Sequence, residues 1–155
     1  MKIKTRVFGE IEIDDSKTIH FPAGIIGFPD MTDFVLVYDE DKGKTTPIKW
    51  LQSLQEVEFA MPVMDPLLVA PDYNPEVEEN YLLPLGEMKE EDSLVLVTVT
   101  VPKDLTKMSV NLQAPFVINA ETKKAIQTIV NIEKYPTKFY IYDILQEKNK
   151  EGETC

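Results

Sequence analysis

The stretch VNLQAPFVIN, residues 110–119, carries a clear strand signal and a contradiction to it. Val110, Leu112, Ala114, Phe116 and Ile118 alternate with Asn111, Gln113, Pro115, Val117 and Asn119. Such alternation marks a strand with one buried face. Pro115 has no N–H to give to a ladder, which excludes a central strand paired along its whole length. The stretch therefore predicts an edge strand, a bulge, or a strand bent at a barrel corner by its Ala-Pro pair. On the edge reading another chain docks beside Pro115, and Asn111, Gln113 and Asn119 share the solvent face there as candidate partner contacts. Asn111 and Asn119 fit turn formation equally well.

Working outward, LVLVTVTV at residues 94–101 is β-branched and apolar on both parities, which predicts a central strand. AIQTIV beyond the AETKK loop predicts another strand, and KFYIYDI a last strand or short helix. The first segment predicts a hairpin with a Val7-Phe8-Gly9 loop and Gly9 in the left-handed position. In that register Arg6 faces Glu10, Lys4 faces Glu12 and Ile3 faces Ile13. In TIHFPAGIIGFPD, Gly24 and Gly27 are turn residues, while Phe21, Ile25, Ile26 and Phe28 call for burial. DFVLVYDED reads as a strand, KGKTTP as a loop, and IKWLQSL as a strand end with a short helical turn. VEFAMPVMDP and LLVAP read as short strands cut by Pro62, Pro66 and Pro71. The expected fold is mainly β: a single-domain, antiparallel, barrel-like domain over residues 1–145 with few short helices. A flexible polar tail is expected over 146–155.

Sixteen basic against 27 acidic residues give a net charge of −11. A basic footprint for nucleic acid is lacking, and so is one for an anionic membrane. The balance suits a basic partner, or simply solubility. No stretch has the apolar core of a signal peptide or the length of a membrane span, so a cytoplasmic protein is expected. His20 is the only histidine and Cys155 the only cysteine, which leaves neither a zinc site nor a His-based nucleophile arrangement. DEDKG opens like a calcium loop, but the later ligands fail to follow. No cofactor, metal or catalytic residue is expected. Carboxylates are numerous enough for a two-carboxylate hydrolase, yet they cluster in loops where solvated charge is the ordinary reading.

Three motifs then combine: IHFPAGIIGF at 19–28, WLQSLQEVEFAMPVMDP at 50–66, and NLQAPFVIN followed by ETKKAIQ. In this order and spacing the chain resembles the FliW family of flagellar assembly factors. The resemblance implies a mostly β, barrel-like, non-enzymatic protein with two partners, flagellin and the RNA-binding regulator CsrA. It implies that the free protein sequesters CsrA and relieves repression of flagellin mRNA, and that accumulating flagellin reverses this. The alternatives are a generic β-barrel adaptor, or a flagellin chaperone without CsrA control. Under the resemblance, Glu76, Glu78 and Glu79, and above all Glu87, Glu90, Glu91 and Asp92, become candidates for steering a basic partner. Trp50 is expected to be half-buried near a strand end.

Overall fold

A computed structural model describes residues 1–37, 48–75, 77, 79–87, 89–130 and 133–153. The expected DEDKG and KGKTTP loop features, Glu76, Glu78 and Cys155 lie outside these residues.

The chain opens with a hairpin of β1 (Lys2–Thr5) and β2 (Gly9–Glu12). The faces are as the sequence suggests, but the register is shifted by two residues. Lys2 faces Glu12, Ile3 faces Ile11 and Lys4 faces Glu10. The cause is Thr5, whose hydroxyl donates to Gly9 C=O (2.8 Å) and accepts from Phe8 N–H (2.9 Å). This closes the loop around Arg6-Val7-Phe8. Gly9 has φ +68°.

The main sheet contains β3 (Ile19–His20), β4 (Asp33–Val37), β5 (Lys49–Ser53), β6 (Ala60–Met64), β7 (Ser93–Thr100), β8 (Ser109–Val110), β9 (Phe116–Asn119), β10 (Ala125–Gln127) and β11 (Phe139–Tyr140). All ladders are antiparallel, in the order β10-β9-β7-β6-β5-β4-β3, with β8 also on β7 and β11 on β8. The ladder does not close. One parallel bridge, His20 with Lys124, spans the seam, and His20 N–H donates to Lys123 C=O (2.8 Å). The fold is thus mainly β and barrel-like, with an open seam.

Two corrections concern proline. Residues 110–119 are not one strand. β8 and β9 both lie along the same edge of β7, and Asn111–Pro115 loop out between them. β9 is covered on its other side by β10, so Pro115 marks a bulge-like excursion rather than a free edge. Pro62, expected to cut a strand, sits inside β6 opposite Trp50. The β6–β7 ladder starts only at Val63, so no donor is required from Pro62 on that side. LLVAP is no strand either. Asp65 caps a 3-10 turn at Pro66–Leu68, its carboxylate accepting from Leu67 N–H (2.9 Å). After β11 the chain forms α1 (Tyr142–Glu153), so helix extends well into the stretch expected as a tail.

Residues paired across the ladders share a face, and each face has its own core. Ile19, Phe34, Leu51, Val63, Leu96, Phe116 and Ile118 pack inside the curved sheet. Phe21 sits among them, fully buried, with edge-to-face contacts to Phe34 (5.4 Å) and Phe116 (5.6 Å). On the other face Met64, Val97, Val99 and Val110 pack against Tyr73, Tyr135 and Ile141. Covered faces on both sides explain why β7 is apolar on both parities. Ile25 is buried, but Ile26 and Phe28, expected inside, are each 51% exposed. The positive φ of Gly24 (+69°) and Gly27 (+88°) folds this turn back on itself and leaves both side chains outside. Trp50 is half-buried.

Candidate partner-binding surfaces

The candidate residues of 110–119 are not an open solvent face. Asn111 is half-buried, and its side-chain oxygen accepts from Gln113 N–H (3.0 Å) and Ala114 N–H (3.2 Å), an Asx turn. Gln113 donates from its side chain to Tyr135 C=O (3.1 Å), and its own carbonyl accepts from Val130 N–H (2.8 Å). Pro115 is buried, with its carbonyl accepting from Thr128 N–H (3.2 Å). Asn119, expected at the surface, is 0% exposed.

Asn119 instead holds the acidic loop in place. Its amide nitrogen donates to Leu85 C=O (2.9 Å) and Glu87 C=O (3.3 Å). Its amide oxygen accepts from Glu121 N–H (2.9 Å) and Thr122 N–H (3.3 Å). Thr122 hydroxyl adds a bond to Leu85 C=O (2.9 Å), and Ala120 N–H donates to Asp92 C=O (2.8 Å). Glu90–Asp92 form a 3-10 turn. Glu87 and Glu91 are exposed and Asp92 is half-buried. Of the first group of candidates only Asn119 therefore meets the acidic loop, at one end of β9. Asn111, Gln113 and Pro115 lie toward the other end, with Pro115 roughly 13 Å of strand from Asn119. His20, at the seam, has its ring Nδ1 2.8 Å from Asp33 Oδ1, and both side chains are substantially exposed.

Sequence reasoning missed a groove of about 450 Å³. Leu67, Val77, Leu82, Leu94, Val95 and Val117 supply its apolar lining. Asp65, Asn74 and Ser93 supply polar groups. Tyr73 forms part of the wall. Its hydroxyl donates to Leu112 C=O (2.6 Å), and its ring packs edge-to-face on Tyr135 (4.7 Å). Burial, with a smaller contribution from Tyr135, pushes the Tyr73 hydroxyl well above the usual tyrosine range. Leu67 and Leu94 remain 51% and 37% exposed, so the groove is lined but not filled. Nothing in the alternation of β7 signals this, because both of its faces read as apolar. The one local signal is Asp65-Pro66, a cap and first-position pair that ends β6.

Among the described residues no group of three or more His, Cys, Asp or Glu is placed to hold a metal ion. Among them also, no helix is long and apolar enough to cross a membrane. A chain with this geometry has surfaces for contact.

Comparison with known proteins gives a consistent result. The family model described as FliW protein matches residues 2–141. The flagellar assembly factor FliW of Lachnoclostridium phytofermentans is 43% identical over 150 residues, covering 97% of this chain and 96% of that one. FliW of Treponema denticola is 38% identical over 152 residues, covering 98% and 99%. A crystal structure of the flagellar assembly factor FliW superposes with a TM-score of 0.83 at 32% identity, covering 92% of this chain and 97% of that one. Matched in sequence and in fold over nearly its whole length, this chain belongs to the FliW family of flagellar assembly factors.

Proposed function

We propose that this flagellar assembly factor works in the cytoplasm by binding, without turnover, and that its partners are CsrA and flagellin. Bound to CsrA, it relieves repression of flagellin mRNA. Bound to accumulating flagellin, it releases CsrA and repression returns. The observation that carries this reading is the match to named flagellar assembly factors over almost all of the chain. The charge of −11 agrees with it, since an RNA-binding regulator presents basic surface. So does the acidic loop, which the Asn119 bonds hold in one place rather than leaving to wander.

Stopped-flow binding to CsrA and to flagellin from the same organism tests the proposal. Rim charges act on association more than on dissociation, and salt screens them over roughly 8 Å at physiological ionic strength. Replacing Glu87, Glu90 and Glu91 by Gln and Asp92 by Asn should slow CsrA association and flatten its salt dependence. Flagellin binding should change less. No binding of either protein, or an equal loss for both in the variant, overturns this account.

A further inference from the structure

The turn after β3 holds two apolar side chains in water and is built too firmly to let them fold back. Ile25 and Phe28 exchange backbone bonds in both directions, Phe28 N–H to Ile25 C=O (2.8 Å) and Ile25 N–H to Phe28 C=O (3.2 Å). Gly24 N–H donates to Phe21 C=O (2.9 Å) and Met31 N–H to Phe28 C=O (3.1 Å), which ties both feet of the turn. At the tip, Ile26 N–H donates to the Gln127 side-chain oxygen (2.8 Å), so the tip is fixed to β10 as well. Gly24 passes so close to Pro29 that a Cβ there would clash with the Pro29 backbone. Ile25 is buried and anchors the turn, while Ile26 and Phe28 stay outside.

One side of Phe28 covers Phe59, edge-to-face at 4.8 Å, and Phe59 packs with Met31 against the inner core. That contact accounts for the buried part of Phe28; the rest of its ring and the Ile26 side chain remain in water. The loop between β5 and β6, which carries Phe59, is bound to this turn by Gln55. The Gln55 side chain donates to Asp30 C=O (2.9 Å) and accepts from Thr32 N–H (2.7 Å). Every charged residue of the two segments 22–32 and 54–59 is acidic. These are Asp30, Glu56 and Glu58, all exposed and none with a cationic partner among the described residues. A rigid apolar tip and unpaired carboxylates thus belong to the same pair of joined turns.

We infer that this turn is a preorganised knob that seats Ile26 and Phe28 in an apolar recess of a basic protein partner, with Lys or Arg at the rim of the recess meeting Asp30, Glu56 and Glu58. Rigidity is what suits the tip to binding: no loop has to be ordered on contact, so the burial of two large side chains is retained as affinity. A second copy of the chain would bring the same acids against these, which like charge opposes, and an anionic bilayer is opposed in the same way. The inference rests on the reading of this chain as a binding protein with a basic regulator among its partners, and assigns where that partner is held.

The test measures binding of CsrA and of flagellin to the full-length protein and to three variants: Ile26→Ser, Phe28→Ser, and Asp30→Asn combined with Glu56→Gln and Glu58→Gln. Melting temperature shows whether each variant is folded. Ile26→Ser leaves Phe59 covered and keeps the backbone bond to Gln127, so it tests the knob even where Phe28→Ser loosens the turn. Ile26→Ser and Phe28→Ser should each weaken CsrA binding at least about tenfold. The charge variant should slow CsrA association and flatten its salt dependence. Flagellin binding should change by less than about threefold in all three. Unchanged CsrA affinity in folded Ile26→Ser overturns the inference. So does an equal loss for both partners, or a loss for flagellin alone, which would give the turn to the other partner. Self-association of the wild type that Ile26→Ser abolishes would assign the tip to a second copy, and flotation with phosphatidylcholine vesicles that it abolishes would assign the tip to a bilayer; either overturns the basic partner. A wild type that fails to bind CsrA overturns the partner switch and this assignment together, whereas equal binding by wild type and variants overturns this assignment alone.

Discussion

Replacing Asn119 should test whether one buried amide fixes the acidic loop. The side chain is fully buried and makes four hydrogen bonds, two at 2.9 Å and two at 3.3 Å. A net contribution of about 1 kcal/mol for each short bond and about half that for each long one gives about 3 kcal/mol. Part is recovered on removal, since Leu85 C=O keeps the Thr122 hydroxyl and Glu87 belongs to an exposed stretch. Asn119→Ala is therefore expected to cost about 2 kcal/mol in urea unfolding, with m unchanged. Asn119→Asp keeps the shape but sets a carboxylate oxygen where the amide donates to two carbonyls. A buried charge without a partner costs about 3–5 kcal/mol, so at pH 8 this variant should be the less stable of the two. Protonated, the same carboxyl can donate to Leu85 C=O. Its folded pKa is then raised above the unfolded value of about 3.9, and the charge penalty relative to wild type is absent below that value and grows as pH rises. The gap between Asn119→Asp and wild type should accordingly be wider at pH 8 than at pH 5. The reasoning is refuted by a cost under about 0.5 kcal/mol for Asn119→Ala, or by a pH-independent gap for Asn119→Asp. Hydrogen exchange adds a local check: amides of residues 85–92 should lose protection in Asn119→Ala before those of β7 do.

Gly24→Ala should be far worse than Gly9→Ala. Both glycines have positive φ, but a Cβ on Gly24 falls 2.4 Å from Pro29 carbonyl oxygen, whereas one on Gly9 meets nothing within 4 Å. Gly9→Ala is expected to cost about 1–2 kcal/mol from backbone conformation alone, and Gly24→Ala clearly more; equal melting temperatures would contradict this. Tyr73→Phe should cost about 1 kcal/mol at neutral pH through the lost bond to Leu112. Burial raises the folded Tyr73 pKa above the ordinary tyrosine value of about 10, so wild type loses stability as pH climbs past that value while Tyr73→Phe lacks this loss. The difference between them should narrow from pH 9 to pH 11, and a constant difference argues against the buried hydroxyl. Pro115→Ala removes two buried methylene groups and loosens the unfolded chain, for a cost of about 2 kcal/mol with the fold retained; failure to fold would show that the ring itself sets the excursion.

Much of the fold is legible because alternation and β-branching survive in the sequence. The stretch 94–101 reads as central since both parities are apolar, and the structure covers both faces of β7 with separate cores. Register is less legible. The first hairpin is displaced by two residues because a threonine hydroxyl closes the turn, and a shift of two preserves every face, so the pattern of charges cannot detect it. The proline in 110–119 correctly denies a continuous ladder. It could not disclose that the strand resumes on the same edge of β7, because that depends on Asn111 N–H finding Thr98 across the excursion. α1 was hidden for another reason: a polar, glycine-containing segment looks frayed by composition, while its start packs Ile144 and Leu145 against the outer core.

The candidate surfaces follow the same division. The acidic loop is visible as a charge run, and its exposure at Glu87 and Glu91 agrees with that reading. Its anchor is not visible, since an asparagine in an alternating strand reads as polar and outward when its neighbours are apolar. Asn119 points instead at carbonyls brought from residues 85 and 87, more than thirty positions earlier in the chain. The groove is further from reach. Asp65-Pro66 is legible as a stop, but the consequence of the stop depends on β7 running on past it. A strand that ends one step early costs its neighbour one set of hydrogen bonds, and a folded chain ordinarily covers that loss with other backbone or with water. Here the Pro66–Leu68 turn lies against β7 in place of a further strand, and Leu67 and Val77 line the groove beside it.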